Sequence, residues 1–220
     1  SIGIVTALNP YIGYAAATSV AAEALESGKG VAEIVLERGL MSAEQLDEVL
    51  RPEFSERFDW EGELAFVIGK GGRHIAAEDA FDHIAGYTCF NDVSVRDWQR
   101  HTHQFTPGKN FPGTGPLGPF LLTRDEVLDV TQLSLQTRLN GQVVQNASLA
   151  DLIFDIPTIV AYVSRFTPLS PGDVIATGTP GGVGDRREPP LYMKEGDVVE
   201  VEITGLGVLR NRIGTDRSAG

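Results

Sequence analysis

The sequence predicts an α+β protein in two parts. A small helical segment spans residues 1–53, a strand-rich portion spans 54–213, and a polar tail covers 214–220. Three observations predict this. Ala, Glu and Leu dominate from Ala15 to Leu50. From Phe58 onward, short apolar runs alternate with Gly- and Pro-rich punctuation. Asn140-Gly141 separates two alternating runs, the strongest short-range hairpin signal.

In the helical part, Asn9-Pro10 pairs a cap residue with a first-turn proline. Ala17, Val20, Ala21 and Leu25 lie at helical spacing, and Gly28 and Gly30 end that segment. Val31, Ile34, Val35 and Leu40 predict a second short helix closing near Gly39. Ser42 with Gln45 has the form of a capping box. Leu46 and Leu50 share a face of the helix that follows, and Pro52 stops it. This part holds eight acidic and three basic residues, without His or Cys. It offers no catalytic constellation.

The strand-rich part begins with Trp60–Gly69, then Gly86–Val95 and Leu117–Thr123. Leu133–Leu139 and Gln142–Gln145 flank the Asn-Gly turn. Ile156–Phe166 reads as a helix capped by Asp155, with Pro157 in its first turn. Asp173–Thr177, Val198–Ile203 and Val208–Arg212 complete the strands. Two long loops, 106–119 and 178–190, are crowded with Pro and Gly and are expected to border a site.

Composition narrows the function classes. The 220 residues are 42% hydrophobic and 22% charged, ordinary for a globular chain. Thirty acidic against eighteen basic side chains give a formal charge of −12. That field repels phosphate backbones and anionic lipid, so neither nucleic acid nor a membrane is the expected partner. An acidic small substrate stays possible, because a bound cation inverts the local field. Cys89 is the only cysteine, which excludes an internal disulfide and fits a reducing, cytoplasmic setting. No apolar run approaches the roughly 20 residues that span a bilayer. No basic stretch precedes an apolar run, so no secretory leader is expected.

The chemistry-bearing residues start with Glu61 and Glu63. Residues two apart in a strand point to one face. Their apolar neighbours Leu64, Phe66 and Ile68 predict that part of the strand is buried. Two buried carboxylates repel each other and suffer desolvation, and a hard divalent cation such as Mg²⁺ relieves both. The competing reading is a wet sheet face. Asp92, ending a mostly apolar run, is the natural third ligand or else a turn or cap residue. Arg96 and Gln99 follow at +4 and +7. If a helix starts near Asp92, the three share a face, either gripping a substrate carboxylate or facing water. Lys109 lies in a Pro-Gly-Lys-Asn-Phe loop, reaching a site or solvent. The Thr177–Gly182 run follows a strand and can aim N–H and hydroxyl groups at an anion, though it lacks the lysine of a phosphate loop. His101 and His103 form a weak metal pair, better read as loop residues, and Cys89 reads as a small core residue. No G-x-S-x-G supports an esterase nucleophile.

Residues 57–213 resemble the fumarylacetoacetate hydrolase family. The resemblance is carried by DWEGELAFVIGKGGR, AGYTCFNDVSVRDWQ, FTPGKNFPGTGPLGPFLLT, RLNGQVVQNAS, SRFTPLSPGDVIATGTPGGVG and KEGDVVEVEITGLGVLRN, in family order. It implies a β-rich roll and a Mg²⁺ or Mn²⁺ site built by Glu61, Glu63 and Asp92. It implies substrate contacts from Arg96, Gln99, Lys109 and Thr179, with Lys109 also catalytic. It implies divalent-metal-dependent hydrolysis, decarboxylation or isomerisation of small β-diketo or 2-oxo acids, in a homodimer or higher homo-oligomer. The family's usual N-terminal lid carries an N-Y-x-x-H-like stretch, whose His and a Glu act as base. Nothing before Trp60 matches it. Residues 1–53 instead resemble the C-terminal helical end of the aspartase and class II fumarase family. That family's G-S-S-x-M-P-x-K-x-N loop is absent, so fumarate lyase chemistry is not expected.

Overall fold

The computed structural model describes residues 8, 10–42, 45 and 55–214. It divides into two compact units. One draws on Ser1–Ser55 with Asp97–Pro107, the other on Glu56–Arg96 with Gly108–Gly220.

In the first unit, helix α1 spans Tyr14–Ser27 and α2 spans Val31–Glu37. Ala17 and Val20 are buried with Leu8, Val31, Ile34, Val35 and Met41, and Ala21 and Ala24 pack beside them. Leu25, expected on this face, is 70% exposed. The stripe runs i, i+3, i+4, i+7, so Ala24 takes the inward position and Leu25 rotates past it. Gly28 adopts φ 71° and its N–H donates to the Ala24 carbonyl, a left-handed helix end that suits glycine. The Ser42/Gln45 capping box forms in both directions, at 3.0 and 3.1 Å. Asn9, Leu46, Leu50 and Pro52 lie outside the described residues, as does most of the tail. Among the described residues, no helix is long and apolar enough to cross a membrane.

Among its described residues, the second unit carries ten strands in antiparallel pairs. They are β1 (Phe58–Asp59), β2 (Gly62–Ile68), β3 (Ile84–Asn91), β4 (Ser94–Val95), β5 (Leu117–Thr123), β6 (Ser134–Leu139), β7 (Gln142–Ser148), β8 (Val174–Ala176), β9 (Val198–Ile203) and β10 (Gly207–Arg212). One sheet has the order β5-β3-β2-β8 and another β10-β9-β6-β7, while β1 pairs with β4. Leu64 and Phe66 of β2 join Leu135 of β6, and Val201 and Ile203 of β9, in one core. Helix α4, Ile156–Phe166, closes that core with Ile156 and Val160, almost fully buried. Each such side chain contributes roughly 1.5–3 kcal/mol by leaving water. Asp155 caps α4 as predicted, its Oδ1 accepting the Thr158 N–H at 2.8 Å. The β6–β7 turn places Asn140 at φ 51° and Gly141 at φ 81°, the two positive values a type I′ turn demands.

Two expectations shift. The strand expected at Trp60–Gly69 is β2, which starts at Gly62, so Trp60 and Glu61 precede its ladder. No helix starts near Asp92. The two residues of β4 intervene, and helix α3 covers only Arg96–Gln99. Ser94 and Val95 are drawn into pairing with Asp59 and Phe58, which holds the chain extended until Arg96.

Candidate metal centre

The register of β2 on β3 builds the site. Gly62 faces Asn91, so Glu61 and Asp92 are the next cross-strand neighbours, joined by Asp92 N–H to Glu61 C=O at 2.9 Å. Glu63, two residues along, returns to the same face. One oxygen from each of Glu61, Glu63 and Asp92 lies within 4.8 Å of the others. Gly62, between the two glutamates, points the opposite way. A Cβ there would sit 2.1 Å from Thr137 Oγ1 and 3.2 Å from Gln145 Oε1. Glycine lets β2 press against the second sheet at this point.

Both Pro/Gly-rich stretches reach the cluster. Lys109 lies in a 3-10 turn, Thr106–Lys109, rather than an open loop. Its Nζ donates to Glu61 Oε2 at 2.9 Å and Asp92 Oδ2 at 2.7 Å. From the other stretch, Gly178 N–H donates to Glu63 Oε2 at 2.8 Å. Thr179 Oγ1 donates to the Gly62 carbonyl at 2.9 Å and accepts from Gln145 Nε2 at 2.8 Å. Arg96 is buried, with Nη1 on Glu61 Oε1 and Nε on Asp59 Oδ2. Ser94 Oγ also reaches Glu61 Oε1, at 3.1 Å. Gln99 is buried and belongs to the first unit with His101 and His103. Cys89 is a core residue whose thiol burial pushes up to about 11. A cavity of about 360 Å³, lined by Tyr87, Arg124, Leu149 and Ile156 among others, contains no member of the triad.

Two residues at the site were not singled out from sequence. Asp59 is fully buried and continues the spacing of two through Glu61 and Glu63, the signal that could have flagged it. Gln145 is 2% exposed, and its Oε1 accepts the Gly62 N–H at 3.0 Å. A β-bulge between Thr137 and Arg138 shifts the β6–β7 register, which hides Gln145 from any alternation rule.

The donor set fits a hard cation. Every donor is a carboxylate oxygen. Among the ion pairs of the described residues, Arg96 meets Asp59 and Glu61 and Lys109 meets Glu61 and Asp92, and a divalent ion at the triad would add positive charge to this carboxylate-rich cluster. Glu63 registers its burial and the neighbouring carboxylates. Burial, then the Asp92 and Glu61 charges, raise its carboxyl from 4.5 to about 8 against the Gly178 N–H and Lys109. A cation at the triad would favour the ionised carboxylate and offset both contributions.

Paired antiparallel sheets with an all-oxygen candidate cation site define the class of this protein. The family model for the fumarylacetoacetate (FAA) hydrolase C-terminal domain matches residues 14–214. The chain belongs to the fumarylacetoacetate hydrolase family. It is 49% identical over 169 residues to human "oxaloacetate tautomerase FAHD2A, mitochondrial", covering 76% of this chain and 54% of the relative. It is 43% identical over 162 residues to oxaloacetate tautomerase YisK of Bacillus subtilis, covering 74% and 54%. Among solved structures it resembles a fumarylacetoacetate hydrolase from Exiguobacterium antarcticum, with TM-score 0.71, 43% identity, and coverage of 73% of this chain and 57% of that one. It also resembles a 5-carboxymethyl-2-hydroxymuconate delta-isomerase from Mycobacterium smegmatis, with TM-score 0.67, 39% identity, and coverage of 74% and 61%. The chain spans a little over half the length of these curated relatives.

Proposed function

We propose that this chain carries the metal-centred part of an enzyme that enolises small 2-oxo or β-diketo acids. Isomerisation, including keto–enol tautomerisation, is the favoured outcome, in keeping with the names of its relatives. Hydrolysis or decarboxylation of a C–C bond would use the same enolate chemistry. The carrying observation is the convergence of Glu61, Glu63 and Asp92 with Lys109 bridging two of them.

The triad would hold Mg²⁺ or Mn²⁺, which when bound supplies Lewis-acid stabilisation of enolate charge. Lys109 is assigned the catalytic role. Its ammonium is fixed by two carboxylates at the edge of the site and neutralises negative charge developing on the substrate. The Thr179 hydroxyl, held between Gly62 and Gln145, is assigned to the substrate carboxylate. Arg96 contributes its charge to the same end, and Gln99 is assigned to the substrate on the family resemblance. We assign residues 1–53 to the aspartase/fumarase C-terminal type on their sequence, and propose a cytoplasmic homodimer. Sedimentation and fractionation test the last two points.

The test is a titration of metal-free protein with Mn²⁺, then oxalate as an enolate mimic, then oxaloacetate followed by its enol absorbance. The expected result is Mn²⁺ binding that tightens with oxalate, by linkage, and faster enol–keto exchange. Absence of Mn²⁺ binding overturns the metal reading. Binding of both without acceleration of any of the three reactions makes the chain a binding module.

A further inference from the structure

Asp59 has no place in the triad, yet the local structure converges on it. It is fully buried, two residues before Glu61, and paired through β1 with β4. Oδ1 accepts the backbone N–H groups of Trp60, at 2.9 Å, and Gly184, at 2.7 Å. Oδ2 accepts Asp185 N–H at 2.9 Å and Arg96 Nε–H at 2.8 Å, and Arg96 Nη2 lies 2.8 Å away as an ion-pair contact. Both oxygens therefore face donors only. An asparagine amide accepts at one position and turns an NH₂ on donors at the other, so only a carboxylate satisfies this pocket. Gly184 is fitted to it: a Cβ there would sit 2.7 Å from Asp59 Oδ1 and 1.8 Å from the Leu191 carbonyl.

Arg96 is the link to the chemistry. It donates to Asp59 through Nε and to Glu61 Oε1 through Nη1, with Nη2 in ion-pair range of Asp59. A buried guanidinium next to a metal ligand competes with the metal for that ligand. The competition weakens when the cation is neutralised from its other side. We infer that Asp59 is a positioning residue that neutralises and anchors Arg96, so that Arg96 orients Glu61 by one N–H while the Glu61 carboxylate stays available to a divalent cation. Asp59 also ties the Gly184–Asp185 turn, within the second Pro/Gly-rich stretch, to the strand that carries the ligands. The inference rests on the metal reading above.

The experiment measures Mn²⁺ affinity of the full chain by calorimetry for wild type, Asp59→Asn, and the double variant Asp59→Asn with Arg96→Gln. With Asp59 neutral, the Arg96 charge falls more heavily on Glu61, and Mn²⁺ affinity is expected to fall on the order of tenfold, the usual scale for a residue behind a metal ligand. Removing the Arg96 charge as well is expected to return the affinity to within about threefold of wild type, again on the scale of such second partners. Amide exchange at Asp185 reports the structural part separately. It speeds up in both variants, whereas Mn²⁺ affinity recovers only in the double. If Asp59→Asn fails to fold, a folded double variant that binds Mn²⁺ still supports the inference. Unchanged affinity in Asp59→Asn, a folded double variant as weak as the single, or failure of both to fold overturns it. Absence of Mn²⁺ binding by wild type overturns the metal reading itself, so the two failures are distinguishable.

Discussion

Glu63 carries the clearest electrostatic signature at the residue scale. The unfolded chain releases its proton near the ordinary 4.5, whereas the folded chain holds it to about 8. Between those values the folded state binds more protons, so cation-free protein loses stability as pH rises, and the loss is complete above about 8. Thermal unfolding with chelator is expected to show a falling midpoint from pH 5 to 8.5, flattened in Glu63→Gln. Mn²⁺ binding competes with that proton, so apparent affinity rises with pH over the same window and proton uptake by buffer accompanies it. Glu61→Gln, Glu63→Gln and Asp92→Asn are each expected to abolish divalent binding. Unchanged Mn²⁺ affinity in all three would remove the site assignment. Gly62→Ala drives a methyl into Thr137, and is expected to destabilise by about 1–3 kcal/mol in denaturant unfolding.

At the scale of elements, the pairing of β2 with β3 decides whether three carboxylates distant in sequence become one site. Gly62 opposite Asn91 brings Asp92 beside Glu61, and a slip of one residue would send the glutamates into the apolar core. The sequence showed the spacing of Glu61 and Glu63, because period-two alternation is local. It did not show the register. The conditional reading of a helix from Asp92 does not hold, because β4 is held extended by β1, a partner some 36 residues earlier. Local chemistry was legible where it suffices. Asn140-Gly141 supplies its own turn, and Gly141→Ala, forcing a Cβ onto φ 81°, is expected to cost about 1 kcal/mol in unfolding free energy. Helix α4 matches the predicted Ile156–Phe166 because Asp155 and the apolar spacing define it without outside help.

At the scale of the whole molecule, the chain divides into a helical and a strand-rich unit, and every described triad contact belongs to the second. Mn²⁺ is therefore expected to slow amide exchange in β2, in β3 and around Gly178, and to leave α1 unchanged. Equal protection of α1 would contradict that placement. The sequence by itself determined the strand and helix content, the family, and the carboxylates at hand, because alternation, capping and turn chemistry act over a few residues. Only the tertiary structure joined Asp97–Pro107 to the N-terminal unit and set Lys109 between Glu61 and Asp92. It alone turned Arg96 onto Asp59 and brought Gln145 beneath Gly62. Those contacts join residues tens of positions apart, and their partners are fixed by sheet register and burial, which no local pattern encodes.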